Sequence, residues 1–247
     1  MIEVKYRGRL GNKLFQYCLG RIIAESKNYE LSCKPISGFV GTYKNVRGLS
    51  LTNDELYLAG QKISLKEILH SNKDQKIFLE GFFCRYEYYE SHRNQIRTWL
   101  RMEPSSRGEI LKKNDVVIHV RGADYKKHVG LKNIFSIASF SNYEKILDEN
   151  KYEKIYVVTD DPELDVVIDL QKKYGANIES SDAISDFKFI KSANNIIFSN
   201  STFGWWAAYL SDAKNIHVIC EGFFNENVKT NMDLLVDEDR YTYHRVI

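Results

Sequence analysis

The sequence predicts an α/β protein built on a parallel, doubly wound sheet. Three observations carry this. In the second half, short apolar runs alternate strictly with segments of helical periodicity. The runs DVVIHV, KIYVVT and NIIFSN are apolar enough for buried strands. Only three prolines, Pro35, Pro104 and Pro162, interrupt 247 residues.

The opening IEVKY reads as a strand and RGRLGN as a glycine-bearing turn. In LFQYCLGRIIAESK the apolar residues Leu14, Phe15, Cys18, Leu19, Ile22 and Ile23 recur at helical spacing. With YELSCK as a second strand, the beginning is βαβ-like. Residues 36–75 are harder to read: SGFVGTYKNVRG is loop-like and LKEILHSN a short helix. KIFLEGFF then predicts a strand and YEYYESHRNQIRTWLRM one continuous helix. MEPSSRGE, residues 102–109, is the candidate linker, dividing the chain into domains 1–106 and 107–247.

After the linker, DVVIHV is a strand and SNYEKILDEN a helix capped by Ser141 or Asn142. KIYVVT is a strand. PELDVVIDLQKKYG is a helix with Pro162 in its first turn and Gly175 just past its end. ANIE, NIIFSN and IHVICE are strands, the last taken as the final one. SDFKFIKSAN and TFGWWAAYLSD are helices, with FGWWAAY read as core and Trp205 or Trp206 as a less favoured pocket wall.

Composition excludes several classes. A net charge of +2 provides no field for nucleic acid. Cys18, Cys33, Cys84 and Cys220 are widely spaced, without a CxxC pair or Cys/His cluster, which argues against structural zinc and fits a reducing compartment. No run approaches a membrane span and no leader opens the chain, so a soluble cytoplasmic protein is expected.

In open parallel sheets, ligands sit beyond the carboxyl ends of the strands. DVVIHV delivers Arg121 and Asp124 there, KIYVVT delivers Thr159, Asp160 and Asp161, and NIIFSN delivers Asn200, Ser201 and Thr202 into a helix start. A helix N-terminus with small hydroxylated residues suits a phosphate, although Ser and Thr are also ordinary caps. A guanidinium at a sheet exit suits the same anion, and the plainer reading is a salt bridge to Asp124. His119 shares a strand face with Arg121 and is either a packing residue or part of the site. Asp160 and Asp161 are adjacent, so they point apart and do not chelate a metal together; one faces the crevice and the other caps the next helix.

These residues resemble a known family. GRLGNKLFQY resembles the GGLGNQMFQY opening of the family 11 glycosyltransferases, mostly α-1,2-fucosyltransferases, and GRLGN also resembles the GRFGN turn of protein O-fucosyltransferases. EGFFCRYEYY resembles GYFQSEKYF, HVRGADY resembles HIRRGDY, VVTDDPE resembles an SDD strand end, and DFKFIKSANNIIFSNSTFGWWAAYL resembles the family's long C-terminal block. The motifs run in the family's order from residue 8 to about 210.

The resemblance implies a GT-B-type fold of two Rossmann-like domains facing across a cleft, the first on the acceptor side and the second binding a nucleotide sugar. It implies inverting transfer of fucose from GDP-fucose to a glycan or glycolipid hydroxyl, with no metal or other cofactor. Such enzymes often work on lipid-linked or surface glycans, which allows peripheral membrane contact. The catalytic set becomes Arg121 on the diphosphate, Asp124 as base and His119. The donor-binding set becomes Gly11, Asn12, Gln16, Thr159, Asp160, Asp186, Ser201, Thr202 and Phe203, with Asp186 either at a guanine edge or capping a helix. The sequence departs from the motif where Gly122 replaces the second arginine and Ala123 the glycine, removing one positive charge that Lys126 or Lys127 would replace. The alternatives are another nucleotide-sugar donor on the same fold, or a non-catalytic nucleotide- or carbohydrate-binding relative.

Overall fold

The computed structural model describes residues 1–43, 53–103, 111–122, 125, 134–225, 227 and 231–246. Asp124, Lys126, Lys127 and linker residues 104–110 lie outside these. The chain forms two compact units, Met1–Pro104 with Asn231–Leu234, and Ser105–Thr230 with Leu235–Ile247.

The first unit carries β1 (Ile2–Val4), α1 (Leu10–Lys27), β2 (Leu31–Ser32), β3 (Glu55–Leu58), α2 (Leu65–His70), β4 (Lys76–Leu79) and α3 (Arg93–Trp99). Its strands form a parallel sheet in the order β2-β1-β4-β3. The apolar stripe of α1 is buried, and each such side chain contributes about 1.5–3 kcal/mol. β3 was not expected from the sequence. Its ELYL pattern leaves Tyr57 exposed at the sheet edge, so it lacks the apolar run that marks a buried strand.

The expected continuous helix from residue 86 is instead two 3-10 turns, Tyr86–Tyr88 and Glu90–His92, followed by α3. Tyr86, Tyr88 and Tyr89 are all buried, a spacing no single helix face provides. Tyr89 donates its hydroxyl to the Phe83 carbonyl at 2.8 Å, while the Tyr86 N–H donates to the Asp233 carbonyl at 2.6 Å. Arg85 fastens the returning 231–234 segment, meeting Asp233 Oδ2 at 3.5 Å and the Asn231 carbonyl at 2.9 Å.

The second unit contains β5 (Val116–Val120), α4 (Phe140–Glu149), β6 (Ile155–Thr159), α5 (Asp165–Tyr174), β7 (Asn177–Ile178), α6 (Ala183–Ser192), β8 (Asn195–Phe198), α7 (Thr202–Leu210), β9 (Asn215–Cys220) and β10 (Tyr241–Arg245). The sheet order is β10-β9-β8-β5-β6-β7, with every pairing parallel. The chain winds outward from β5 through β6 to β7, then restarts at β8 on the other side. This is the Rossmann order, and its switch point lies between β5 and β8.

β5 is buried along its whole length. Ile118 and Val120 pack with Ala138, Leu164 and Val166 in one apolar cluster. Trp205 and Trp206 are fully buried, which bears out the core reading of α7. Three boundaries differ from expectation. α4 starts at Phe140 after Ser139, whose hydroxyl accepts from Asn142 Nδ2 at 2.7 Å instead of capping a backbone N–H. α5 starts at Asp165, leaving Pro162 in the preceding turn, while Gly175 ends it at φ 63° as expected. β9 is not the last strand, because β10 covers its edge.

Candidate active site

The site of the second unit grows from the register of three parallel strands. Val120 pairs with Thr159, and one residue further the same register brings Arg121 beside Asp160. Arg121 Nη1 lies 2.6 Å from Asp160 Oδ2. Asp160 Oδ1 accepts the Gly122 N–H at 2.9 Å, so one carboxylate grips both the guanidinium and the backbone that carries it. The pairing considered from the sequence, with Asp124, lies outside the described residues; the ion pair described is with Asp160. Asp161 accepts the Glu163 N–H in the turn before α5, so the two aspartates divide their work between the strand exit and that turn.

His119 is on the same side of β5 and reaches α7. Its ring stacks on Phe203 with centroids 5.3 Å apart, and Phe203 meets Phe187 edge-on at 5.3 Å. His119 is 5% exposed, and its Nδ1 has no hydrogen-bond partner among the described residues. Burial, and then the Arg121 charge, push its pKa down to about 4 against the pull of Asp160. At neutral pH the imidazole is uncharged. Across the switch point Ser201 caps α7, its Oγ accepting the Gly204 N–H at 3.1 Å. Thr202 opens the helix and is partly exposed.

The other expected donor residues have structural partners. Thr159 is buried; its N–H donates to Ser180 Oγ at 2.9 Å and its Oγ1 accepts the Asp161 N–H at 3.1 Å. Asp186 is 8% exposed in the first turn of α6 and accepts the Ser181 N–H at 2.8 Å. The cap of that helix is Asp182, which accepts from the Ile184 and Ser185 N–H groups. Gly11, Asn12 and Gln16 belong to the first unit. There Gln16 is buried, accepting the Arg7 N–H at 2.8 Å and donating to the Arg7 carbonyl at 3.0 Å.

Two residues outside the expected catalytic and donor-binding sets tie the site together. Asn200 is fully buried; its Nδ2 donates to the Ile134 and Ser136 carbonyls, and its Oδ1 accepts the Phe223 N–H at 3.3 Å. Tyr125 donates its hydroxyl to the Asn200 carbonyl, and its ring lies 5.8 Å from the Arg121 guanidinium. Tyr125 thereby links the exits of β5 and β8. Its place in HVRGADY was the available signal. Among the described residues, no group of three or more His, Cys, Asp or Glu side chains is placed to hold a metal ion.

The sequence model of glycosyl transferase family 11 matches residues 66–241. The chain belongs to glycosyltransferase family 11. No curated protein sequence matches this family 11 chain. Its structure is similar to a mutant of Arabidopsis thaliana FUT1 in complex with GDP, with a TM-score of 0.55 at 12% identity over 88% of this chain and 70% of that one. It is also similar to POFUT1 in complex with GDP, with a TM-score of 0.50 at 13% identity over 86% and 94% of the two chains. POFUT1 with GDP-fucose gives a TM-score of 0.51 at 12% identity over 86% and 94%. At these identities the likeness is one of fold, the GT-B class of the fucosyltransferases. This family 11 member is therefore a GT-B glycosyltransferase, and no helix among its described residues is long and apolar enough to cross a membrane.

Proposed function

We propose that this enzyme transfers fucose from GDP-fucose to a hydroxyl of a glycan acceptor, with inversion and without a metal. The observation that carries the reading is Arg121, held by Asp160 at the β5 exit, on the β5/β8 switch point where α7 begins. Leaving GDP takes the electron pair of the bond between the fucosyl anomeric carbon and the β-phosphate oxygen. The Arg121 guanidinium and the α7 N–H groups suit the charge that develops on that oxygen. The acceptor oxygen forms the new bond on the opposite face, and its proton goes to a base. Asp124 is assigned that role from the sequence alone. The neutral His119 ring supports Phe203 at the start of α7.

Calorimetric titration with GDP and UDP, on wild type and Arg121→Ala, tests this reading. Micromolar GDP binding, weak UDP binding and loss in the variant are expected, together with slow hydrolysis of GDP-fucose by the wild type. Preference for UDP would move the enzyme to another donor. Binding without hydrolysis or transfer would leave a nucleotide-binding relative.

A further inference from the structure

Gly122 stands where the family motif resembled by HVRGADY carries a second arginine, and its backbone does not explain the glycine. Its φ lies outside the left-handed region that favours glycine. What explains it is space. A Cβ on Gly122 would lie 2.3 Å from Leu164 Cδ1, 3.0 Å from Cδ2 and 3.1 Å from Cγ. Rotation about the outer bond of the leucine cannot clear all three atoms, because Cγ does not move with it. The leucine backbone is pinned as well. Its carbonyl accepts the N–H groups of Val167 at 2.9 Å and Ile168 at 3.0 Å, the first bonds of α5.

Direction matters as much as space. Leu164 belongs to the cluster of Ile118 and Val120, which is opposite the face of β5 carrying His119 and Arg121. A side chain at position 122 therefore projects away from the guanidinium, and the missing arginine takes no cation from the Arg121 side. What the glycine provides is contact. Leu164 closes directly on the peptide whose N–H is held by Asp160, and Asp160 holds Arg121.

We infer that Gly122 and Leu164 form a matched pair that positions Arg121, through the Gly122 N–H and the Asp160 carboxylate. Leu164 is thus a positioning residue, acting from the apolar side of the sheet. The consequence for donor binding rests on the proposed nucleotide-sugar reading; the contact itself does not. Adding one methyl group at position 122 drives the leucine toward a groove of about 420 Å³ lined by Ile137, Phe140 and Val166. The fold has room for that retreat, while the peptide beside Asp160 loses its backing.

The test is a double-substitution cycle of Gly122→Ala and Leu164→Ala with two readouts. The first is the NMR signal of the Arg121 Nε–H group without ligand, identified by its absence in Arg121→Lys. The second is GDP affinity. Gly122→Ala is expected to shift the signal and to weaken GDP binding by roughly tenfold, the scale of one charge-assisted hydrogen bond. The double variant is expected to return both toward wild type, although removing the leucine lowers its melting temperature. Recovery of a signal and an affinity in a less stable protein separates positioning from mere support of the fold. Where Leu164→Ala does not fold, Leu164→Val removes both Cδ atoms at smaller cost. An Arg121 signal unmoved by Gly122→Ala, or unrestored in the double variant, overturns the inference. If wild type binds no GDP the donor reading falls, and the Arg121 signal still decides the pairing.

Discussion

Arg121 and Asp160 stand on adjacent strand exits with 2.6 Å between Nη1 and Oδ2, and the second carboxylate oxygen holds the peptide that follows Arg121. The arginine is about 15% exposed and the aspartate about 26%, so water screens the pair only in part. Such a clasp fixes the orientation of a guanidinium before any anion arrives, which lowers the cost of ordering it on binding. A planar fork held at one edge keeps its geometry for a phosphate at another.

Arg121→Ala should weaken GDP binding by roughly 10- to 100-fold, the range of a charge-assisted contact. Arg121→Lys should recover only part of this, because an ammonium lacks the fork. Calorimetry on folded variants checks both. Equal affinities across the three proteins would remove Arg121 from the site.

Asp160→Asn should remove the Asp160 charge from the guanidinium while nearly preserving volume. Turnover is expected to fall more than the Michaelis constant for donor rises, since misorientation matters most where charge develops. The loss in stability should be about 1–3 kcal/mol, below the cost of breaking a fully buried pair. Steady-state kinetics together with urea denaturation separates the two effects. An unchanged turnover would mean that Arg121 needs no fixed partner.

Acid should destabilise the protein earlier than its carboxylates alone require. Burial pushes His119 and His217 down to about 4, and it also lowers His244, which lies 2.8 Å from His217 between ring nitrogens. Unfolded histidine titrates near 6.5, so between about pH 6.5 and 4 the unfolded chain binds more protons than the native one. Stability is therefore full above about pH 6.5 and declines as pH falls through that window, by up to about 1.4 kcal/mol per pH unit for each of His119 and His217. Melting temperature measured from pH 7.5 to 4.5 checks this. His119→Asn should flatten the profile, and an unchanged slope would contradict the neutral, buried state of His119.

Asn200→Ala should cost about 2–4 kcal/mol, because the Ile134 and Ser136 carbonyls and the Phe223 N–H lose a buried partner together. Thermal melting measures it. A loss below about 0.5 kcal/mol, the level of an ordinary surface change, would show that water replaces the amide.

Much of the second sheet was legible because its strands are short, apolar and separated by periodic helices, and a run such as VVIHV permits few other readings. Arg121 was legible too, as a charge following a buried strand. Its partner was not. Asp160 lies 39 positions further on, and only the Val120–Thr159 register brings the two together. The stretch from Tyr86 was misread as one helix because its local propensity is helical, whereas burying three tyrosines requires a tighter, broken path. β10 escaped notice because YTYHR contains no apolar run, and only pairing along β9 makes it a strand. Asn200 looked like part of a polar cluster, although its side chain works inward on backbone groups far away in sequence.

The late position of β10 bears on how the protein is made. The chain leaves β9 at Cys220, joins the first unit between Asn231 and Leu234, and only then supplies the strand that covers β9. During synthesis the β9 edge stays open until residues 241–245 have left the ribosome. An open edge invites pairing with other chains. A chain released before β10 is made would keep every residue of the proposed catalytic set and still be prone to aggregate.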